Sequence, residues 1–265
     1  MTEKRQGRRS AQDAQKTRYH ILKVAAEMFC ELGYARVSLR HISEKAGVSH
    51  SLIRHHFGSK EKIWHSISDG LHLYMQSYIR TVIAHIPEDT PANIKLYCFL
   101  IRILAHALII KQPIQLIADA ARQENALVDY FIDNAGELEA LTEALADQYN
   151  EQYPETPINI WETKWHLIMF AHSAASMTPL LKDTWSDETD DVDECLLRHW
   201  QLFNQMMAQK FHVPEAAVLK PKSVKELLLP HDYDWEKQCI SLCSQDENKN
   251  SEEECLPCPA SILDK

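Results

Sequence analysis

The chain has 265 residues, 45% of them apolar, and only 6 glycines, so it can bury a core but is poor in the tight turns that strand-rich folds need. Its net charge of −10 argues against a simple nucleic-acid binder, yet the charge is divided: residues 1–64 hold 13 Lys/Arg against 6 Asp/Glu, and residues 65–265 hold 15 against 32. A basic head on an acidic body is the pattern expected when only one end meets phosphate.

Met1 to Arg18 is polar and basic with no apolar run behind it, so no secretion signal is expected. The most apolar stretch, Ile94 to Ile110, contains Lys95, Arg102 and His106 and reads as a buried helix, with no membrane partner. A cytoplasmic location with reduced cysteines follows as the expectation.

In chain order, residues 1–16 read as a flexible basic arm. It either enters a minor groove through Arg5, Arg8 and Arg9 or stays a solvated leader. A helix over Thr17–Leu32 places Ile21, Ala25, Met28, Phe29 and Leu32 on one face, and Gly33 is a plausible stop. Ser38 offers an N-cap for a short helix with Leu39, Ile42 and Ala46 inward. Gly47-Val48 turns the chain, and Ser49 caps a second short helix, His50–His56. Gly58 ends that helix and Ser59 caps another running from Lys60 to about His85. Pro87 and Pro91 bracket a break. Helices are then expected at roughly 91–111, 113–124, 125–152, 157–183 and 190–212, with Pro113 and Pro157 in first turns.

Two short helices joined through Gly47 form a helix-turn-helix, whose second helix enters the major groove. Ile42, Ala46, Val48, Ile53 and Phe57 lock the pair, leaving Arg40, His50, Ser51, Arg54 and His55 outward. An ordinary helical hairpin would not explain why the outer side is basic and rich in histidine. A small helical enzyme is the other class considered. The chain has no glycine-rich phosphate loop, no HExxH pair and no nucleophile elbow, so an enzyme is not expected, and no cofactor is implied.

Ala25, Phe29, Gly33, Ile42, Ala46-Gly47-Val48-Ser49, Ile53, His55, Phe57, Ser59-Lys60-Glu61 and Ile63 together resemble the TetR family of bacterial regulators. The resemblance covers 17–64 closely and the rest only in helix number and length. It implies an all-α protein of about nine helices: a three-helix DNA-binding domain over 17–64, then a larger ligand-binding and dimerisation domain over 65–212. By the same resemblance Arg40, His50, Ser51 and Arg54 stand where bases are read. Ser38, Leu39, Leu52, His55, His56 and Lys60 stand along the DNA backbone, although leucine has no side-chain donor, and Ser49 is a further DNA-binding candidate. Arg54 replaces a common aromatic and Ser51 a frequent glycine, which points to a different operator. The implied partners are a double-stranded, pseudo-palindromic operator, a second copy of the chain and a small-molecule ligand.

The helices at 157–183 and 190–212 are the expected dimer contact, with Ile168, Ala171, Ala174 and Ala175 on one and Leu196, Leu197, Trp200, Phe203, Met206 and Met207 on the other. A ligand pocket needs apolar walls with a few polar groups. Tyr78, Tyr97, His106, Trp161, Trp165, Met169 and His172 are the candidates, Tyr74 beside them, though such stripes are more often core. The stretch 213–265 reads as an acidic tail with one or two short helices. It holds Cys239, Cys243, Cys255 and Cys258, which are either a zinc or redox site controlling the same DNA module or four unrelated thiols.

Overall fold

The computed structural model describes residues 3–122, 126–133 and 135–233, and among them every regular element is helical. In order these are α1 (Glu3–Leu32), α2 (Leu39–Ala46), α3 (His50–Phe57), α4 (Lys60–His85), α5 (Ala92–Ile109), α6 (Gln112–Arg122), α7 (Ala126–Asp133), α8 (Gly136–Gln152), α9 (Ile160–Ser176), α10 (Thr178–Thr184) and α11 (Val192–Lys210), with short 3-10 turns at Tyr34–Arg36, Glu215–Ala217 and Val224–Leu227.

These elements gather into two compact units. The first comprises the described residues up to Tyr74, those from Leu116 to Ala135, and Asp232 and Tyr233. Here α1 buries Ile21, Ala25, Met28 and Phe29, as its periodicity predicts, and Leu22 and Ala26 besides, whereas Leu32, expected on the same face, is 46% exposed at the helix end. Burying an aliphatic or Phe side chain contributes roughly 1.5–3 kcal/mol. The backbone is already helical at Glu3, so the expected arm over 1–16 continues α1 from that residue. No proline interrupts 3–32, and most residues of 3–16 are tolerable helix formers. The unit also reaches beyond 17–64. His65 stacks on Tyr130 at 3.8 Å, Tyr130 donates to Asp69 at 2.8 Å, and the His72 ring lies 4.3 Å from that of Phe131, tying α4 to α7.

The second unit spans Met75–Gln115 and Gly136–His231. Its spine is α5, which packs against α8, α9 and α11. By length and composition α5 would cross a membrane, but 67% of it is buried inside the protein. Two of its buried side-chain donors are tied to backbone carbonyls. Trp200 Nε1 donates to the Ile101 carbonyl at 3.0 Å, and Asn93 Nδ2 donates to that of Phe211 at 3.1 Å.

Three expectations are corrected here. The helix read over 125–152 is two helices, α7 and α8. The one read over 157–183 opens only at Ile160, capped by Asn159, whose Oδ1 accepts the Trp161 N–H at 2.9 Å, and divides at Met177 into α9 and α10. Pro179 causes that division, since it has no N–H to give the Ala175 carbonyl. Gln115 Nε2 donates to that carbonyl instead, at 3.3 Å. Lastly, the tail read over 213–265 is no appendage in its first part: Val224 and Leu227 are buried in the second unit's core, and Arg102 Nη1 donates to the Leu227 carbonyl at 3.0 Å.

Candidate nucleic-acid interface

The helix-turn-helix is built by two serine caps and one glycine. Ser38 Oγ accepts the His41 N–H and Ser49 Oγ accepts the Leu52 N–H, both at 3.2 Å, satisfying donors that a helix start leaves open. Between the helices Gly47 adopts φ +65°, ψ +29°, a left-handed conformation that costs a side-chain-bearing residue, and Val48 N–H closes the turn onto the Ser43 carbonyl at 3.1 Å. Ile42, Ala46, Ile53 and Phe57 are buried, and Val48 is half-buried.

This packing leaves Arg40, His50, Ser51, Arg54 and His55 exposed, outward as the sequence predicts. Arg40 Nε donates to Glu44 Oε1 at 2.8 Å one turn along α2, and its side chain remains 82% exposed. A guanidinium has five donors, so the pair leaves others for a base edge. Ser49 and Ser51 hydroxyls lie 3.0 Å apart at the start of α3. Ser38, expected on the DNA backbone, and Ser49, expected at the DNA, are exposed while serving as caps.

Two expected backbone contacts, His56 and Lys60, are half-buried and engaged within the module. His56 is half-buried beside Phe57, and burial, then the neighbouring His55 and Arg18, pushes its pKa down. That shift disfavours the charged form a phosphate would seek. Lys60 is half-buried too. Its Nζ donates to the Tyr34 carbonyl at 2.8 Å and stands 3.9 Å over the Tyr34 ring, with its pKa lowered by burial. Tyr34 was absent from the expected site because nothing in linear spacing pairs it with a residue 26 positions on. Arg18 was also missed. It lies 4.9 Å over the Phe57 ring and fastens α1 to α3.

The expected ligand residues do not come together. Tyr78, Tyr97 and His106 are buried in the second unit. Tyr78 and His106 rings lie 3.9 Å apart, but the Tyr97 hydroxyl is engaged by Asn204 and Leu219. Trp161, Trp165 and Met169 are 50%, 61% and 40% exposed, so this stripe lines no interior pocket. The reason is local: α9 turns Thr163, Ala171, Ala174 and Ala175 inward, small residues that admit close packing, and thereby turns its large residues outward. His172 is half-buried, its Nδ1 3.0 Å from Ser176 Oγ. Cys239, Cys243, Cys255 and Cys258 lie outside the described residues, and among the described residues no group of three or more His, Cys, Asp or Glu is placed to hold a metal.

Residues 21–67 match the model of the bacterial regulatory proteins of the tetR family. The HTH-type transcriptional regulator TtgR of Pseudomonas putida is 38% identical over 65 residues, which is 24% of this chain and 31% of TtgR. AcrR of Shigella flexneri, another HTH-type transcriptional regulator, is 40% identical over 60 residues, 23% of this chain and 28% of AcrR. The chain thus spans about a third of the length of the curated relatives it matches. Among solved structures, the fatty acid degradation regulator FadR from Bacillus halodurans aligns at a TM-score of 0.48 and 16% identity, covering 75% of this chain and 96% of its own.

Proposed function

We propose that this chain, whose N-terminal module belongs to the TetR family of bacterial regulatory proteins, is a homodimeric, sequence-specific DNA-binding transcriptional regulator of the cytoplasm, a repressor released from its operator by a small molecule. One observation carries the DNA reading: α3 presents His50, Ser51, Arg54 and His55 to solvent beside Arg40 of α2, while the apolar side of the same two helices is buried. Arg54 supplies a fork of donors matched to guanine O6 and N7, and the histidines and Ser51 add donors and acceptors along the same face. The curated relatives are named transcriptional regulators, which accords with this use of the module.

Most residues expected at the dimer contact, Ala171, Ala174 and Ala175 of α9 and Trp200, Phe203 and Met207 of α11, are buried within the chain, so the support for the dimer passes to the exposed stripe of Trp161, Trp165 and Met169 on α9. Large apolar side chains left exposed side by side on one helix face mark an interaction site. A second copy meets it with the same stripe, as two-fold association requires. Two recognition helices then read a pseudo-palindromic site. Ligand control requires a coupling on the order of 1–3 kcal/mol between the acidic body and the DNA module. The continuous helix α4, with Lys60 at its start and residues of both units along it, is suited to carry that coupling.

The test is enrichment of a randomised duplex pool by the purified chain, followed by footprinting. A recovered site with two inverted half-sites about one helical turn apart supports the reading. Recovery of no preferred sequence would overturn it.

A further inference from the structure

Helix α6 carries an acid in an apolar row. Leu116, Asp119 and Ala120 share one helix face, and all three are buried. A buried carboxylate needs partners, and Asp119 has two. Arg122 Nη2 donates to its Oδ1 at 2.9 Å from the next turn of α6. The Tyr34 backbone N–H donates to its Oδ2 at 2.7 Å from far away in sequence. The short distance is that of a charge-assisted bond.

Gly33 makes this approach possible. Its φ of +82° is one that side-chain-bearing residues rarely adopt, and a Cβ there would stand 2.9 Å from Asp119 Oδ1. The chain leaves out a side chain where the carboxylate arrives.

Tyr34 is also the residue that holds Lys60. Its carbonyl accepts from the ammonium at 2.8 Å, its ring lies beneath it, and that ring is backed by Phe29 of α1 at 5.3 Å. An ammonium has three donors; one goes to Tyr34 and two remain for a phosphate. Lys60 opens α4, two residues after the glycine that ends α3, so its direction is fixed relative to the recognition helix. Asp119 is no phosphate contact itself, being buried and of the same charge.

We propose that Asp119 is a positioning residue for DNA binding. By gripping the Tyr34 N–H it fixes the turn whose carbonyl and ring aim the Lys60 ammonium at the DNA backbone. The inference rests on the DNA-binding reading above. It gives α6 a part in operator affinity that its sequence does not announce. The first turn of α6 belongs to the second unit, where Ile114 packs on the core and Gln115 holds the Ala175 carbonyl.

The experiment uses the full chain and the duplex that the wild-type chain enriches from a randomised pool, with a salt series for wild type, Asp119→Ala, Asp119→Asn, Lys60→Ala and the double Ala variant. Asp119→Ala weakens binding about tenfold, as expected for one charge-assisted contact, and lowers the salt slope by about one per chain. Lys60→Ala does the same, and the double variant is no worse than either. Asp119→Asn, whose amide oxygen still accepts the Tyr34 N–H, stays within about threefold of wild type with its slope kept. A purely structural role for Asp119 would leave the slope untouched. Where the Ala variant melts below the assay temperature, Asp119→Leu, which suits the apolar row, takes its place. A wild-type slope in Asp119→Ala or Asp119→Leu, or additive losses in the double variant, would overturn the inference while the DNA-binding reading stands. Failure of the wild-type chain to enrich any duplex overturns that reading, and the inference with it.

Discussion

The Tyr97 hydroxyl donates to Asn204 Oδ1 at 2.5 Å in the interior of the second unit. The Tyr97 hydroxyl oxygen in turn accepts the Leu219 N–H at 2.9 Å, so one side chain joins α5, α11 and the segment after α11. Burial pushes the Tyr97 pKa up to about 12, keeping the hydroxyl protonated and able to donate. Asn204 completes the arrangement by donating Nδ2 to the Leu219 carbonyl at 3.1 Å.

Tyr97→Phe is therefore expected to destabilise the chain by roughly 1–3 kcal/mol, because it leaves the Leu219 N–H and the Asn204 oxygen in a dry site without their partner. Urea unfolding is the measurement. The midpoint falls with the slope unchanged. A midpoint equal to that of wild type would mean that water replaces the hydroxyl and that the segment after α11 is looser than this geometry requires.

The His106 ring is buried against Tyr78, and burial, then the neighbouring His231, lowers its pKa from 6.5 to about 3. The sign follows directly. Between those two values the unfolded chain binds a proton that the folded chain refuses, so stability is complete above about pH 6.5 and falls as the pH drops toward about 3. His231, with Nδ1 3.2 Å from Thr81 Oγ1, and the Tyr78 hydroxyl are the other titratable groups at this spot. Melting temperatures across that range should decline in wild type and decline less in His106→Phe. Parallel curves for the two proteins would show that another group carries the acid sensitivity.

These two interior sites also show where linear reading stops. The DNA module was legible because its signals are local: a serine cap before each short helix, a glycine between them, and apolar residues at helical spacing. Those same signals place Arg40, His50, Ser51, Arg54 and His55 outside, and the structure agrees. Lys60 was legible as a cation but not as a partner of Tyr34, because that pairing is set by packing. The stripe of Trp161, Trp165 and Met169 was legible as a helix face, but not as the outer one, since periodicity tells which residues share a face and not which way it points. The alanines on the opposite face were the available clue. Asp119 was not legible at all, because the Tyr34 N–H that meets it comes from 85 residues away.

Trp165→Glu tests the outward face. At 61% exposure the indole supports little of its own unit, whereas a carboxylate facing its symmetry mate in an apolar contact repels and is desolvated. The variant is expected to be monomeric by light scattering at micromolar concentration, with helical circular dichroism unchanged. It should also bind the enriched duplex far more weakly, because two half-sites are no longer joined. A variant that stays dimeric would place the interface on another face.

Reading bases and gripping phosphate are separable with Arg54. Its side chain is exposed on α3, while its backbone carbonyl accepts the Gly58 N–H at 2.9 Å and so belongs to the end of the helix, not to recognition. Truncation to Ala leaves that cap and the buried residues Ile53 and Phe57 intact, and a surface change of this kind costs little stability. What is lost is a forked donor that distinguishes guanine from the other bases. Arg54→Ala should therefore cost roughly 1–3 kcal/mol on the enriched duplex and much less on a scrambled duplex of the same composition. Lys60→Ala differs, weakening both duplexes alike, since every phosphate presents the same charge. The measurement is a pair of salt titrations on the two duplexes for each variant. Equal losses on both duplexes for Arg54→Ala would make Arg54 a backbone contact and move base reading to Arg40, His50 and Ser51.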